Sequence, residues 1–247
     1  MTPFTTLTAI AAPIEMANID TDRVIPVRFL RKLRNDKAGY DPYLFHDMRF
    51  DNDGKELPDL LRHIEAYQGT AITRLAMKLM AMTFVRTSEL IGARWAEIDL
   101  VAARWDIPAE RMKMKTPHIV PLSVQAANLL KTLQLITGHS ALLFPGERDH
   151  EKSMSNNTIL KALERMGYKG RMTGHGFRGV ASTLLHEMGF DHAHIELQLA
   201  HQERNEVSAA YNHATYLKQR GKMMQHWADY LDASINGKVL PFKRKTA

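Results

Sequence analysis

The sequence contains no cysteine, which excludes disulfides and thiolate metal sites. No apolar run approaches the ~18 residues of a membrane span. The opening residues, Met1 to Pro13, lack the basic start of a secretory signal. Together these absences give the expectation of a cytoplasmic chain with no membrane contact. GxGxxG and Walker patterns are missing, so chemistry on nucleotide triphosphates is not expected, and neither a cofactor nor a metal is assigned. There is no internal repeat and no low-complexity tract. What is present is an ordinary globular composition. The 247 residues, 45% of them apolar, suffice for one large domain or two small ones.

Positive charge is in excess and unevenly placed. Net charge is +6 overall, yet residues 1–57 hold eight Lys or Arg against nine Asp or Glu, so the remainder carries +7. A basic C-terminal part favours a polyanionic partner through counterion release. A basic domain with no such partner would carry the same charge.

In chain order, the opening FTTLTAIAAPI and NIDTDRVIP read as short β-rich pieces, followed by a loop from Gly39 to Gly54. Leu57, Leu60, Leu61 and Ile64 then recur at helical spacing. A second helix is expected from Ala71 to Phe84, capped by Thr70. Thr87 or Ser88 can cap a third, with Glu89 in its first turn. Residues 101–122 read as a β-hairpin with the basic connection RMKMKTPH. Ser123 to Leu135 is amphipathic, and Leu142 to Pro145 looks strand-like. A helix from Thr158 to Met166 would be capped by Asn156 or Asn157. A short helix spans His194 to Ala200, and a long one runs from about Thr215 to Leu231, with Met223, Met224, Trp227 and Tyr230 on its apolar face.

The chemistry concentrates in TGHGFRGVASTLLHEMGFDHAHIELQLAHQERNEVSAAYNHATY, Thr173 to Tyr216. His175 and Arg178 are three apart and can point the same way from one helical turn. His201 follows a short helix, and Tyr211 lies ten residues further on. Arg86 falls at a junction between helices, and Lys113 near the tip of the hairpin. Such cations can hold an anion while a phenol attacks it. Plainer readings exist for each. Arg86 and Arg178 can cap helix ends or pair with Glu89, His175 can be a satisfied core histidine, and Tyr211 can be core. Tyr216 competes as nucleophile, though it is expected within the following helix. Lys115 competes with Lys113, which is preferred for its distance to Val120-Pro121-Leu122. His186, His192, His194 and His201 also cluster in sequence, but they lack HExxH spacing and any cysteine.

Two resemblances organise these observations. Phe4-Thr5-Thr6-Leu7-Thr8, Ala11-Ala12-Pro13, Asn18-Ile19-Asp20-Thr21-Asp22 and Ile25-Pro26 resemble the N-terminus of the 3-isopropylmalate dehydratase small subunit. That family's later Ser-Arg substrate loop has no counterpart here. A partial sheet buries too little apolar surface to offset its ordering entropy. Residues 1–56 are therefore expected to be a fused remnant without isomerase activity. Arg86, Lys113, His175-x-x-Arg178, His201 and Tyr211, in this order, resemble the signature of tyrosine recombinases, the phage integrase family. Flanking segments such as Ile107-Pro108-Ala109-Glu110-Arg111-Met112-Lys113 and Gln198-Leu199-Ala200-His201 are similar to prophage-type integrases.

The second resemblance covers about residues 57–240. It implies an α+β, mainly α catalytic domain at 57–247 with a small antiparallel sheet, preceded by the β-rich segment. It implies double-stranded DNA at attachment sites as partner, self-association on that DNA, and transesterification without metal or nucleotide. Tyr211 would form a 3′-phosphotyrosine, with Arg86 and Arg178 clamping the phosphate and His201 donating a hydrogen bond to it. His175 would act as general base or proton shuttle and Lys113 as general acid, while Glu89 orients its neighbours. Relatives carry DNA-binding domains ahead of the catalytic one, a place taken here by the dehydratase-like segment. A chain that binds DNA without cleaving it is the alternative.

Overall fold

The computed structural model describes residues 56–113, 115–201 and 216–237. All of them fall in one unit, Asp51–Ala247. Helix α1 (Glu56–Glu65) forms on the apolar spacing of Leu57, Leu60, Leu61 and Ile64, and all four are buried. Helix α2 (Ala71–Thr83) begins where the Thr70 hydroxyl accepts the Thr73 N–H at 3.2 Å. It ends at Phe84, whose φ of 42° is left-handed and turns the chain out of the helix. Helix α3 (Thr87–Ile91) follows at once.

A 3-10 turn (Trp95–Glu97) leads into an antiparallel sheet of β1 (Ile98–Asp99), β2 (Arg104–Ile107) and β3 (His118–Pro121), in that spatial order. Trp105 pairs with Val120 and Ile107 with His118. These four side chains are buried, and Arg104 between the turn and Trp105 is exposed, the period-two alternation of a sheet with one covered face. Helix α4 (Val124–Thr137) is capped by the Ser123 hydroxyl, which accepts the Ala126 N–H at 3.2 Å. Helices α5 (Asn156–Arg165), α6 (Gly176–Glu187), α7 (His192–Gln198) and α8 (Leu217–Ile235) complete the order.

The core lies around α2, against which α1, α4, α5 and α8 pack. Ala76, Met77, Leu79 and Met80 of α2 are fully buried, and burial of each large side chain contributes about 1.5–3 kcal/mol. Trp227 of α8 donates from Nε1 to Ala81 O at 2.8 Å, and its ring meets that of Phe84 edge-on at 6.2 Å. The end of α2 is thereby fixed from the C-terminal helix. No helix among the described residues is long and apolar enough to cross a membrane.

The mainly helical α+β class, the hairpin and the small antiparallel sheet agree with the sequence expectation. Several details differ. The sheet has a third strand, β1, that the periodicity did not announce, because two residues carry no alternation. Leu142 and Pro145 make only isolated bridges, to Arg94 and Ser153, so the expected strand there is absent. Arg86, rather than Thr87 or Ser88, holds the cap position of α3. Ser155, rather than Asn156 or Asn157, caps α5, its hydroxyl accepting the Asn157 N–H at 3.2 Å. Tyr216 stands at the cap position of α8 with φ 44°, ahead of the helix rather than inside it. The expectations for residues 1–55, for Tyr211 and its flanks, and for the tail beyond Gly237 lie outside the described residues.

Candidate active site

The site begins where α2 stops. Two residues beyond the left-handed Phe84, Arg86 caps α3, and the carboxylate of Glu89 reaches back to it twice. One oxygen accepts the Arg86 backbone N–H at 2.8 Å, and the other accepts Nη1 at 2.7 Å. The buried Glu89 thus satisfies an orphan helix donor and pins a guanidinium with one group. Arg86 Nη2 donates to Ala200 O at 3.2 Å, which ties α3 to the chain just beyond α7.

Arg178, on the first turns of α6, is only 4% exposed. Its Nη1 donates to Phe84 O at 2.8 Å and its Nη2 to Leu199 O at 2.6 Å. Burial, and then the nearby charge of Arg86, lower its pKa to about 10, while Glu89 and Glu196 oppose the shift. It therefore stays charged at neutral pH. Arg178 Nη2 also lies 3.3 Å from His201 Nε2, and His201 Nδ1 lies 2.9 Å from Glu196 Oε2. A guanidinium only donates, so Nε2 is the acceptor here and Nδ1 carries the proton toward Glu196. That hydrogen bond is the main cause that holds the Glu196 carboxyl below its usual range.

His175 occupies the position before α6 and is exposed. It shares with Arg86 and Arg178 one cleft of about 480 Å³, which also presents Thr87, Ser88 and Thr173 and is closed on one side by Asn156, Ile159 and Leu160 of α5. Gly174 lets the loop before His175 lie on α3, since a Cβ there would fall 2.2 Å from Thr87 Oγ1. Two guanidiniums, an imidazole and three hydroxyls around one opening make a receptor for a tetrahedral anion.

The other expected residues are placed differently. Lys113 is exposed and is not among the residues lining the cleft. Lys115 has φ 54° and donates to Glu110 O at 3.2 Å, which occupies the rival lysine within its own turn. The ring of Tyr216 lies 4.8 Å from that of His194. The histidines do not converge. His186 Nδ1 donates to Ser182 O at 2.7 Å, its Nε2 meets His192 Nδ1 at 3.0 Å, and among the described residues no three His, Asp or Glu side chains are placed to hold a metal.

Three polar residues behind the site escaped the sequence reading. Arg220 of α8 is 2% exposed and binds Gln198 Oε1 through Nε at 3.1 Å and Nη2 at 2.6 Å, with Nη2 also on Ile119 O at 2.6 Å. His118 Nε2 donates to Gln198 O at 3.2 Å, and burial, followed by the charge of Arg220, pushes its pKa down to about 3. This network joins α7, β3 and α8 directly beneath the Leu199–His201 segment. One signal was available: Arg220 falls in phase with the apolar stripe Met223, Met224, Trp227 and Leu231. Glu196 carried none beyond its spacing to His201.

Comparison with known proteins fits this geometry. The model of the phage integrase family matches residues 52–218. The integrase of Enterobacteria phage P4 is 50% identical over 196 residues, which cover 72% of this chain and 44% of that protein. Prophage integrase IntA of Escherichia coli (strain K12) is 40% identical over 185 residues, covering 75% of this chain and 45% of that protein. The chain thus spans about half the length of the curated relatives it matches. A separate match is to the 3-isopropylmalate dehydratase small subunit of Jannaschia sp. (strain CCS1), 46% identical over 72 residues, 29% of this chain and 35% of that protein. Among solved structures, the integrase from mycobacterium phage Brujita superposes with a TM-score of 0.53 at 20% identity, covering 72% of this chain and 61% of that chain. The XerH site-specific recombinase bound to difH substrate gives 0.51 at 19% identity, covering 65% and 49%. At such identities the likeness is one of fold.

Proposed function

The chain belongs to the phage integrase family, and from that membership we propose that residues 57–247 cut and rejoin double-stranded DNA through a 3′-phosphotyrosine. The observation that carries this reading is the cleft shared by Arg86, His175 and Arg178, with both guanidiniums fixed before any substrate arrives. In the cleavage step the Tyr211 oxygen attacks phosphorus, the new bond forms as the bond to the 5′-oxygen breaks, and charge gathers on the non-bridging oxygens. Arg86 and Arg178 stabilise that charge, and preorganised donors of this kind contribute about 3 kcal/mol or more each. His175 accepts the phenolic proton. Lys113 donates a proton to the leaving 5′-oxygen, which requires its ammonium to reach the cleft from the hairpin. His201 donates to the phosphate from Nε2. The ring must then hold a second proton, and the Glu196 carboxylate on Nδ1 supports that charge.

The covalent link keeps the bond energy of the phosphodiester, so a second DNA end reverses the step without a nucleotide. The partners are attachment-site duplexes, on which copies of the chain assemble. Residues 1–56 form a separate, fused segment that takes no part in the chemistry.

A pool of nicked duplexes with randomised sequence tests this. Wild-type protein is expected to form a denaturant-resistant adduct with a selected subset, and Tyr211→Phe none. Retarded but never covalently bound DNA would identify the chain as a binding protein instead.

A further inference from the structure

The hairpin connection that carries Lys113 is not loose where it begins. A 3-10 turn, Ala109–Arg111, ends two residues before Lys113. The guanidinium of Arg111 turns back beneath the hairpin. Its Nη1 donates to Gly92 O and lies 3.2 Å from both Glu97 oxygens, and its Nη2 donates to Glu89 O. Glu97 also accepts the indole N–H of the wholly buried Trp105 at 2.9 Å. The pair is secluded, with side-chain exposures of 18% for Arg111 and 7% for Glu97.

One planar fork therefore joins three parts. Glu89 and Gly92 belong to α3 and its end, and the Glu89 side chain is what pins Arg86. Glu97 ends the turn that leads into the sheet, and Trp105 lies on the sheet's buried side. Arg111 itself begins the connection to Lys113. The next residue, Met112, is 2% exposed, so Lys113 is the first side chain after this anchor to reach solvent. The catalytic reading needs Arg86 and Lys113 to act on one phosphate from separate segments. Arg111 lies two residues before one and is a direct hydrogen-bond partner of the helix that holds the other.

We propose that Arg111 is a positioning residue that sets the reach of the Lys113 ammonium relative to a phosphate held by Arg86, an assignment that rests on the cleavage mechanism above. Its requirement for arginine is geometric. A lysine at 111 keeps the charge beside Glu97 but is a single point donor, unable to span Gly92 O, Glu97 and Glu89 O as the fork does. A displaced Lys113 would fail in one task, protonation of the leaving oxygen, and leave the clamp intact.

The test compares two nicked duplexes of the sequence that the wild-type chain selects, one with the natural 5′-oxygen at the scissile phosphate and one with a bridging 5′-sulfur. A thiolate leaves without needing a proton, so the sulfur substrate bypasses the general acid. Rates of adduct formation are measured for the full-length wild type, Arg111→Lys, Arg111→Met and, as reference, Lys113→Ala, beside thermal unfolding and duplex affinity for each. Arg111→Lys is expected to slow the oxygen substrate ~100-fold and to approach the wild-type rate on sulfur, the pattern of Lys113→Ala. Should Arg111→Met fail to fold, Arg111→Lys decides alone. Equal slowing on both substrates, or none on oxygen, overturns the assignment and leaves the cleavage mechanism standing. A wild-type chain that reacts with neither substrate removes that mechanism, and the assignment with it.

Discussion

Arg86 and Arg178 are held at the cleft by backbone carbonyls and by Glu89, whereas Lys113 and His175 stand exposed. On the cleavage mechanism proposed above, the difference matches what each group would be asked to do. Stabilising charge at a transition state rewards donors that are aimed in advance, because no reorganisation is then needed during the reaction. Moving a proton requires a group that can exchange with its surroundings and be brought within hydrogen-bond reach of a substrate atom. On that mechanism the clamp is built into the ends of α2, α6 and α7, and the proposed proton carriers sit on a hairpin connection and a helix entrance.

The largest effect should come from the buried side. Arg178→Met leaves Phe84 O and Leu199 O without their donors, at about 1–3 kcal/mol each, partly offset by relief of its repulsion with Arg86. Chemical denaturation should show a net loss of about 2–4 kcal/mol, and adduct formation should fall ~100- to 1,000-fold. Arg178→Lys keeps the charge and should lose nearly as much rate, since an ammonium cannot serve two carbonyls and a phosphate together. Normal adduct formation by either variant would break the contrast, because Arg178 would then be scaffold alone.

A second effect lies behind the clamp and is read through pH. The pKa of His118 falls from its ordinary 6.5 to about 3, chiefly by burial and then by the charge of Arg220, with smaller contributions from Arg178 and Arg86. A histidine with a lowered folded pKa takes up its proton more readily in the unfolded chain. Its contribution to stability is complete above pH 6.5 and is lost as pH falls from there toward 3. By linkage, the loss reaches about 2 kcal/mol at pH 5. Urea midpoints at pH 7 and pH 5 should show it, and His118→Gln, which retains a donor for Gln198 O, should flatten that part of the slope. An unchanged slope would mean that the network under the clamp opens to water.

Much of this architecture was legible before any coordinates. Apolar residues three and four apart gave α1 and α8, Thr70 marked the start of α2, and the alternation of Trp105, Ile107, His118 and Val120 gave the hairpin. The ordered set of basic residues, read with the family resemblance, anticipated the shared cleft of Arg86, His175 and Arg178. The arrangement that fixes these groups was not legible. Arg86 is a poor cap by residue type, and it holds that position because Glu89 supplies the oxygen from inside the helix. The roles of Arg111, His118 and Arg220 were hidden because their partners are mostly main-chain oxygens or residues distant in sequence. Such oxygens have no signature in a sequence. For Lys113, the hairpin gave the neighbourhood but not the reach.

The smallest effect should be at Glu196, where the two halves of the site meet. His201 and Glu196 have side-chain exposures of 43% and 34%, so water screens their pair, and Glu196→Gln should cost less than about 1 kcal/mol of stability. Its effect on rate has a different origin. In the arrangement described, His201 Nε2 accepts from Arg178, and donation to phosphate requires the doubly protonated ring. Glutamine at 196 can still accept from Nδ1, but it no longer offsets the ring's positive charge. Adduct formation should therefore fall by about tenfold at neutral pH, equivalent to ~1.4 kcal/mol in the barrier. An unchanged rate would assign Glu196 to orienting the imidazole, which glutamine still does, rather than to supporting its charge, and His201 would then join the fixed clamp.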